Sequence, residues 1–140
     1  MPGVFDKHGI RFQYPENWTL DESESGENSV TVYSPEGGFW NVVWRDLSED
    51  PHELAVEALE ILKKEYSETE SEPATETIAG REISGFDVSF YYVDLVNTAV
   101  IRTFRTREAS CLVLCQAEDR EYRKVEPVFQ AMTVSLLTGK

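Results

Sequence analysis

Two histidines, two cysteines and 26 carboxylates are the side chains of this 140-residue chain that nucleophilic, metal or acid-base chemistry would draw on. Their spacing assembles no centre. His8 and His52 stand far apart, and His52-Glu53 lacks the second histidine, one helical turn on, that a zinc helix uses. Cys111 and Cys115 lie four apart in an aliphatic run that reads as a strand. At about 3.3 Å per residue their Cα atoms are about 13 Å apart, beyond the roughly 7 Å that a disulfide spans. Both share a face with Val113 and read as buried thiols acting as small hydrophobes. Adjacent carboxylates such as Glu49-Asp50 and Glu118-Asp119 are common in so acidic a chain, and catalytic use would need burial and a raised pKa. No glycine-rich phosphate loop and no nucleophile elbow occurs. The expectation is therefore no catalytic residue, no metal and no cofactor.

Charges inside apolar strands are a second place where chemistry can sit. Asp87, Asp94, Arg102 and Arg105 fall in strand-like sequence, where each needs a partner or a polar cleft. They read either as cross-strand ion pairs at the sheet ends or as the polar floor of a binding cleft. Trp40 and Trp44 point the same way along one strand, either buried beneath a helix or presented as an exposed aromatic strip, since tryptophan is enriched at interface hot spots. Together with the carboxylates Glu49, Asp50 and Glu53 they form the candidate partner-binding set.

These residues must be positioned by recognisable elements. The first residues, up to Lys7, run straight into strand-like sequence. Alternation then places a strand at Ile10 to Tyr14, closed by Pro15, another around Val30 and Val32 before the turn cluster Ser34 to Gly38, and a third over Phe39 to Arg45. A helix starts at Pro51, capped by Ser48 or Asp50 with Glu53 meeting its dipole, and is expected to reach about Ser67. Its stripe of Leu54, Ala55, Ala58, Leu59, Ile61, Leu62 and Tyr66 is apolar. Residues 68 to 76 interleave glutamate with Thr, Ser, Pro and Ala and read as a mobile acidic loop. Strands at Ile83 to Val96 and Ala99 to Arg107 flank a turn at Asn97-Thr98, and Cys111 to Ala117 forms another. Phe86, Val88, Phe90 and Tyr92 share one face and Tyr91, Val93 and Leu95 the other, as in the middle of a sheet covered twice. Tyr122, Val125, Phe129 and Met132 mark a closing helix that Pro127 is expected to bend or divide. The order of strands, helix, strands, helix reads as one α+β domain over residues 1–140.

Charge narrows the partners. Thirteen Lys and Arg against 26 Asp and Glu leave a net −13. Five basic and 18 acidic residues fall in 1–80, but eight of each in 81–140, so the excess concentrates in Asp21 to Glu27, Glu49 to Glu53 and Glu65 to Glu76. Such a field repels phosphate backbones and anionic headgroups, which argues against nucleic acid and membrane surfaces. If the acidic segments converge they make one surface for a basic protein partner; otherwise they are a solvated coat. With 41% hydrophobic and 11% aromatic residues the chain carries too much apolar payload for disorder. No apolar run approaches the roughly 20 residues of a spanning helix, and the start lacks the charged and apolar regions of a secretion signal, so a cytoplasmic location is expected.

The segment Gly9-Ile10-Arg11-Phe12-Gln13-Tyr14-Pro15-Glu16-Asn17-Trp18 resembles the opening of the superfamily that includes the PsbP subunit of photosystem II and the Mog-type import factor that binds the GTPase Ran. There a short strand, Tyr-Pro, a two-residue turn and a Trp recur. The closing stretch Phe129 to Leu136 is similar to that superfamily's last helix. The resemblance implies an antiparallel sheet of six to seven strands between helices, an α/β/α sandwich with Tyr14, Pro15 and Trp18 as structural anchors. It also implies an accessory or adaptor role by protein contact; bacterial members include lipoproteins and chaperone-like proteins. No partner-binding residue of those members carries over.

The leading functional expectation is a non-catalytic, protein-binding accessory or chaperone-like domain using an acidic surface. The alternative is a carrier of a small apolar ligand in a helix-sheet gap lined by residues such as Leu62, Tyr66, Phe90 and Tyr92. A hydrolase using buried carboxylates ranks last.

Overall fold

Period-two burial along β5 (Phe39–Arg45) sets the layers: Trp40, Val42 and Trp44 are buried on one face, while Phe39, Asn41 and Val43 are half-buried on the other. The computed structural model describes residues 1–22 and 28–140. Its other strands are β1 (Gly3–Lys7), β2 (Ile10–Tyr14), β3 (Thr19–Asp21), β4 (Ser29–Tyr33), β6 (Glu70–Ile78), β7 (Arg81–Tyr92), β8 (Leu95–Arg105) and β9 (Ser110–Glu118). Two helices accompany them, α1 (Pro51–Glu65) and α2 (Asp119–Thr138). The main sheet has seven antiparallel strands in the order β3-β4-β5-β9-β8-β7-β6, and β1 and β2 form a separate hairpin. The expected α+β sandwich is what the chain forms.

Each helix covers its own face. Leu54, Ala55, Leu59 and Leu62 of α1 pack on Val88, Phe90, Ala99, Ile101 and Leu112. Phe129, Met132 and Leu136 of α2 pack on the opposite face, against Trp40, Val42, Cys111 and Val113. The β1–β2 hairpin lies on that second face beside α2. Phe12 meets Trp40 with ring centroids 4.7 Å apart, and Phe5 meets Trp44 at 6.3 Å. Trp18 is buried edge-on against Phe129, its amide bonded to the Pro15 carbonyl at 3.0 Å.

Asp50 caps α1 through the His52 amide, ahead of Pro51 at the first position, and Lys63 and Lys64 meet the negative end. The helix stops at Glu65, two residues before the expected end. In α2 the Glu118 carboxylate accepts from the amides of Arg120 and Glu121, and Gly139 closes the helix at φ 72°. Pro127 does not divide α2, which runs unbroken for 20 residues.

Two further expectations are corrected. Residues 70–78 are not a loop but β6, paired with β7 along its whole length from Glu70↔Ser89 to Ile78↔Arg81. The ladder of β7 supplies the order that the composition lacks. Pro73 and the glutamates suit an edge strand, where a missing N–H costs nothing and charge deters further pairing. The β7–β8 turn is not Asn97-Thr98 but Val93-Asp94, enclosed by the Tyr92↔Leu95 pair. His8-Gly9 and Ala79-Gly80 close the other two-residue turns. All six central residues have positive φ, the geometry of type I′ turns. Val93-Asp94 alone has no glycine to announce it.

Candidate functional site

The candidate partner-binding residues do not come together. Trp40 is fully buried, its indole N–H donating to the Thr133 hydroxyl at 3.0 Å, and Trp44 keeps only 8% of its surface. Of the two readings, burial is the one the structure bears out, with Trp40 beneath α2 and both tryptophans covered by the β1–β2 hairpin. Glu49 pairs with Arg45 at 3.5 Å, and its carbonyl accepts from Ser110 Oγ at 2.6 Å and Arg105 Nη2 at 3.3 Å. Asp50 is the cap of α1, and Glu53 lies in its first turn. Nor do the described residues of the acidic segments converge. Asp21 in β3 and Glu70, Glu72 and Glu76 in β6 occupy opposite edges of the seven-stranded sheet. Residues 23–27 of the first acidic segment lie outside the described residues.

Among the charges within strands, Arg102 is the organising one. It stands on the α2 face of β8, opposite Gly85 of β7. A Cβ at residue 85 would lie 1.8 Å from the Ile101 carbonyl oxygen, so only glycine fits. The Arg102 guanidinium donates to Glu76 of β6 at 2.6 Å and forms an ion pair with Asp87 of β7 at 2.9 Å. Its side chain keeps 9% of its surface. Burial alone would lower its pKa, but Glu76 and Asp87 outweigh that and hold it above the ordinary value. Asp94 sits in the β7–β8 turn, and Arg105 holds the Leu47 and Glu49 carbonyls.

Because α2 packs on β2, β9 and β8, the sheet beyond it stays uncovered. The result is a cleft of about 440 Å³ with Arg102, Glu76 and Asp87 in its wall, Cys115 and Val113 beneath, and Tyr122 on the helix side. Its nucleophilic groups are held neutral. Burial pushes the Cys115 thiol and the Tyr122 phenol far above their usual ranges, and pushes Cys111, elsewhere in the core, up to about 11. A thiol without its charge is a poor nucleophile.

The expected ligand gap is filled where it was sought. Tyr66 stacks on Phe90 with centroids 4.0 Å apart, and Tyr92 closes edge-on against Tyr66. A cleft of about 400 Å³ instead opens on the other side of α1, over β5 and β9, between Leu62, Tyr66, Val43 and Leu114.

One end of the sheet carries a feature the sequence pattern disguised. β6 begins opposite Ser89 and β9 ends opposite Asn97, so residues 90–96 of the β7–β8 hairpin extend beyond both neighbours. Tyr91, Tyr92, Val93 and Leu95 are exposed there, Tyr92 by 59% and Val93 by 74%. A β-branched residue at φ 50° is an outlier costing roughly 1–2 kcal/mol. The signal was present in the apolar residues on both faces, but it reads equally as a doubly covered strand.

Between this turn and the Ser34–Phe39 turn lies a notch of about 350 Å³, with Tyr92, Val93, Leu95 and Phe39 as its apolar surface and Glu36, Glu118 and Glu121 in its walls. The Ser34 hydroxyl, which caps the Gly38 amide at 2.9 Å, donates to the Glu121 carboxylate. Glu118 titrates below the usual range: burial would raise it, but the amides of Glu121 and Arg120 and the Arg120 side chain prevail.

No protein-family model matches the sequence, and no curated protein matches it either. Solved structures do share its fold. Cyanobacterial PsbP from Synechocystis aligns at a TM-score of 0.63 and 11% identity, over 96% of this chain and 89% of its own. The Ran-binding protein Mog1p of Saccharomyces cerevisiae aligns at 0.56 and 9%, over 99% and 91%. A Pseudomonas aeruginosa protein of unknown function aligns at 0.56 and 13%, over 96% and 95%. The fold is PsbP/Mog-like, as the opening Tyr14-Pro15 to Trp18 pattern implied.

Proposed function

We propose that this chain is a non-catalytic protein-binding accessory domain that engages its partner with the protruding end of the β7–β8 hairpin. The observation that carries this reading is the exposed quartet Tyr91, Tyr92, Val93 and Leu95, held on a turn whose first residue is strained. Aromatic side chains out of the core are typical interface anchors. Strain kept at an exposed tip, where glycine or asparagine would relieve it, is a mark of function. A neighbour of the same fold named as Ran-binding supports action by protein contact. Among the described residues no helix is long and apolar enough to cross a membrane, and a cytoplasmic location stays part of this proposal.

The test places a photo-crosslinking amino acid at Val93 and, as control, at Ile61, which is exposed on α1. A discrete adduct from a source-cell extract at 93 but not at 61 supports the reading; equal labelling at both sites, or none at 93, contradicts it.

The apolar cleft beside α1 favours a second reading, a carrier of a small apolar ligand held between Leu62, Tyr66, Val43 and Leu114. Native mass spectrometry of the purified chain decides it: a bound mass released on denaturation supports it, and the bare mass removes it.

A further inference from the structure

The Arg102 cleft and the notch beside the hairpin tip both bring polar and apolar groups together, and they differ in kind. In the cleft the guanidinium is already engaged by Glu76 and Asp87, which ties the edge strand β6 to the sheet. In the notch the carboxylates surround an apolar surface, and none of the described residues lining it is basic.

We infer that this notch seats an apolar side chain of a partner protein segment that carries lysine or arginine on either side of it; the inference rests on the protein-binding reading above. Tyr92, Val93, Leu95 and Phe39 supply the apolar contact. Glu36, Glu118 and Glu121 stand in the walls, and Asp94 follows Val93 in the turn. Of these four negative charges, Glu118 is met by Arg120 at 3.3 Å, and the N-terminus of α2 offsets about half of another. The remainder still leaves the notch negative, with Glu36 and Asp94 on exposed turns. A field of this sign draws cationic side chains and speeds their encounter. It repels the phosphates of nucleic acid and of lipid headgroups, which leaves a basic protein segment as the fitting occupant.

The two turns that form the notch are also tied to the body of the fold in different ways. Ser34 links the Gly38 amide to Glu121 of α2 and so ties the β4–β5 turn to the helix. On the other side Tyr92 leans on Tyr66, just past the end of α1, which itself stacks on buried Phe90. The recess is thereby formed before any partner arrives, and a preorganised site loses less freedom on binding.

The experiment titrates the isotope-labelled full chain with two synthetic hexapeptides that share a central Leu-Phe, one flanked by lysines and the other by glutamates. The lysine peptide is expected to shift the amides of residues 36–39, 92–97 and 116–121 and to bind at least about tenfold tighter than the glutamate peptide. That preference should shrink on going from 0.1 to 1 M salt, as screening shortens from about 10 to about 3 Å. It should also shrink in the double variant Glu36→Gln/Asp94→Asn, whose exposed turn positions tolerate the change. Equal binding of both peptides at the notch would overturn the basic partner while leaving the hairpin tip as a protein-binding surface. Shifts confined to another surface, or no binding, would overturn the inference outright; crosslinking at Val93 judges the broader reading separately.

Discussion

Arg102 of β8 reaches past β7, where it stands opposite Gly85, to Glu76 of β6, with 2.6 Å between Nε and Oε2. One buried cation thus spans three strands and secures the edge strand whose own composition disfavours order.

Removing both of its anions should cost more than removing the cation. Glu76→Ala/Asp87→Ala strands a buried guanidinium, and since both carboxylates are partly solvated the loss should be about 2–3 kcal/mol, below the 3–5 of a fully buried pair. Arg102→Met keeps apolar volume in place and leaves two carboxylates that partly reach solvent, so it should cost less than the double variant. Urea unfolding midpoints decide between them; an Arg102→Met loss exceeding that of the double variant would refute this assignment.

Trp18→Ala should destabilise the chain by about 3–5 kcal/mol, as truncation of a large buried aromatic does. Its ring packs edge-on against Phe129 and links the segment after β2 to α2. A melting temperature within two or so degrees of wild type would be inconsistent with that packing, given the roughly 2–8 °C expected per kcal/mol.

The thiols should be silent until the fold opens. Cys111 and Cys115 are both buried, and burial raises both pKa values. A group whose folded pKa lies above its unfolded value contributes its stability in full below the unfolded value, here 9.0, and loses it as pH climbs through about 11 for Cys111. Native protein at pH 8 should therefore resist a thiol reagent that labels both cysteines in urea. Stability should fall between pH 9 and 11, and fall less in Cys111→Ala/Cys115→Ala. Rapid labelling of the native chain would contradict the burial of both groups.

The turn at the hairpin tip should be improvable at the expense of binding. Asn-Gly is the preferred pair for a type I′ turn, so Val93→Asn/Asp94→Gly should stabilise by about 1–2 kcal/mol, read as a raised melting temperature. If the native pair is kept for contact with a partner, the same variant should weaken the adduct formed when a crosslinker is placed at neighbouring Tyr92 instead of Val93. A destabilised variant would show that Val93 is not strained.

Much of this architecture was legible in residue periodicity, and the failures have physical causes. β2, β4, β5, β9 and both helices carry clean two- or 3.6-residue patterns with proline or capping residues at their ends. β6 was hidden because Glu, Pro and Thr do not order themselves, and its strand is imposed by pairing with β7. The Val93-Asp94 turn was hidden because two-residue turns are read from glycine and asparagine, and this one has neither. For Trp40 and Trp44 burial was one of two readings, and the choice between them depends on where α2 and the β1–β2 hairpin dock, a tertiary fact that spacing along β5 does not contain. The same limit concealed the tip. Apolar residues on both faces are found alike in a covered central strand and in a hairpin that outruns its neighbours, and only the registers of β6 and β9 separate the two.

Protein binding at the tip of the β7–β8 hairpin, as proposed, makes a quantitative demand on Tyr92 and Val93. The most direct measurement is calorimetric titration of the crosslinked partner, once purified, into wild-type chain and into Tyr92→Ser/Val93→Ser, with melting temperatures recorded for both. Because these side chains are exposed, the fold should lose little stability, while two truncated anchors should weaken binding by at least about tenfold, or 1.4 kcal/mol. An unchanged affinity in a folded double variant would contradict the account.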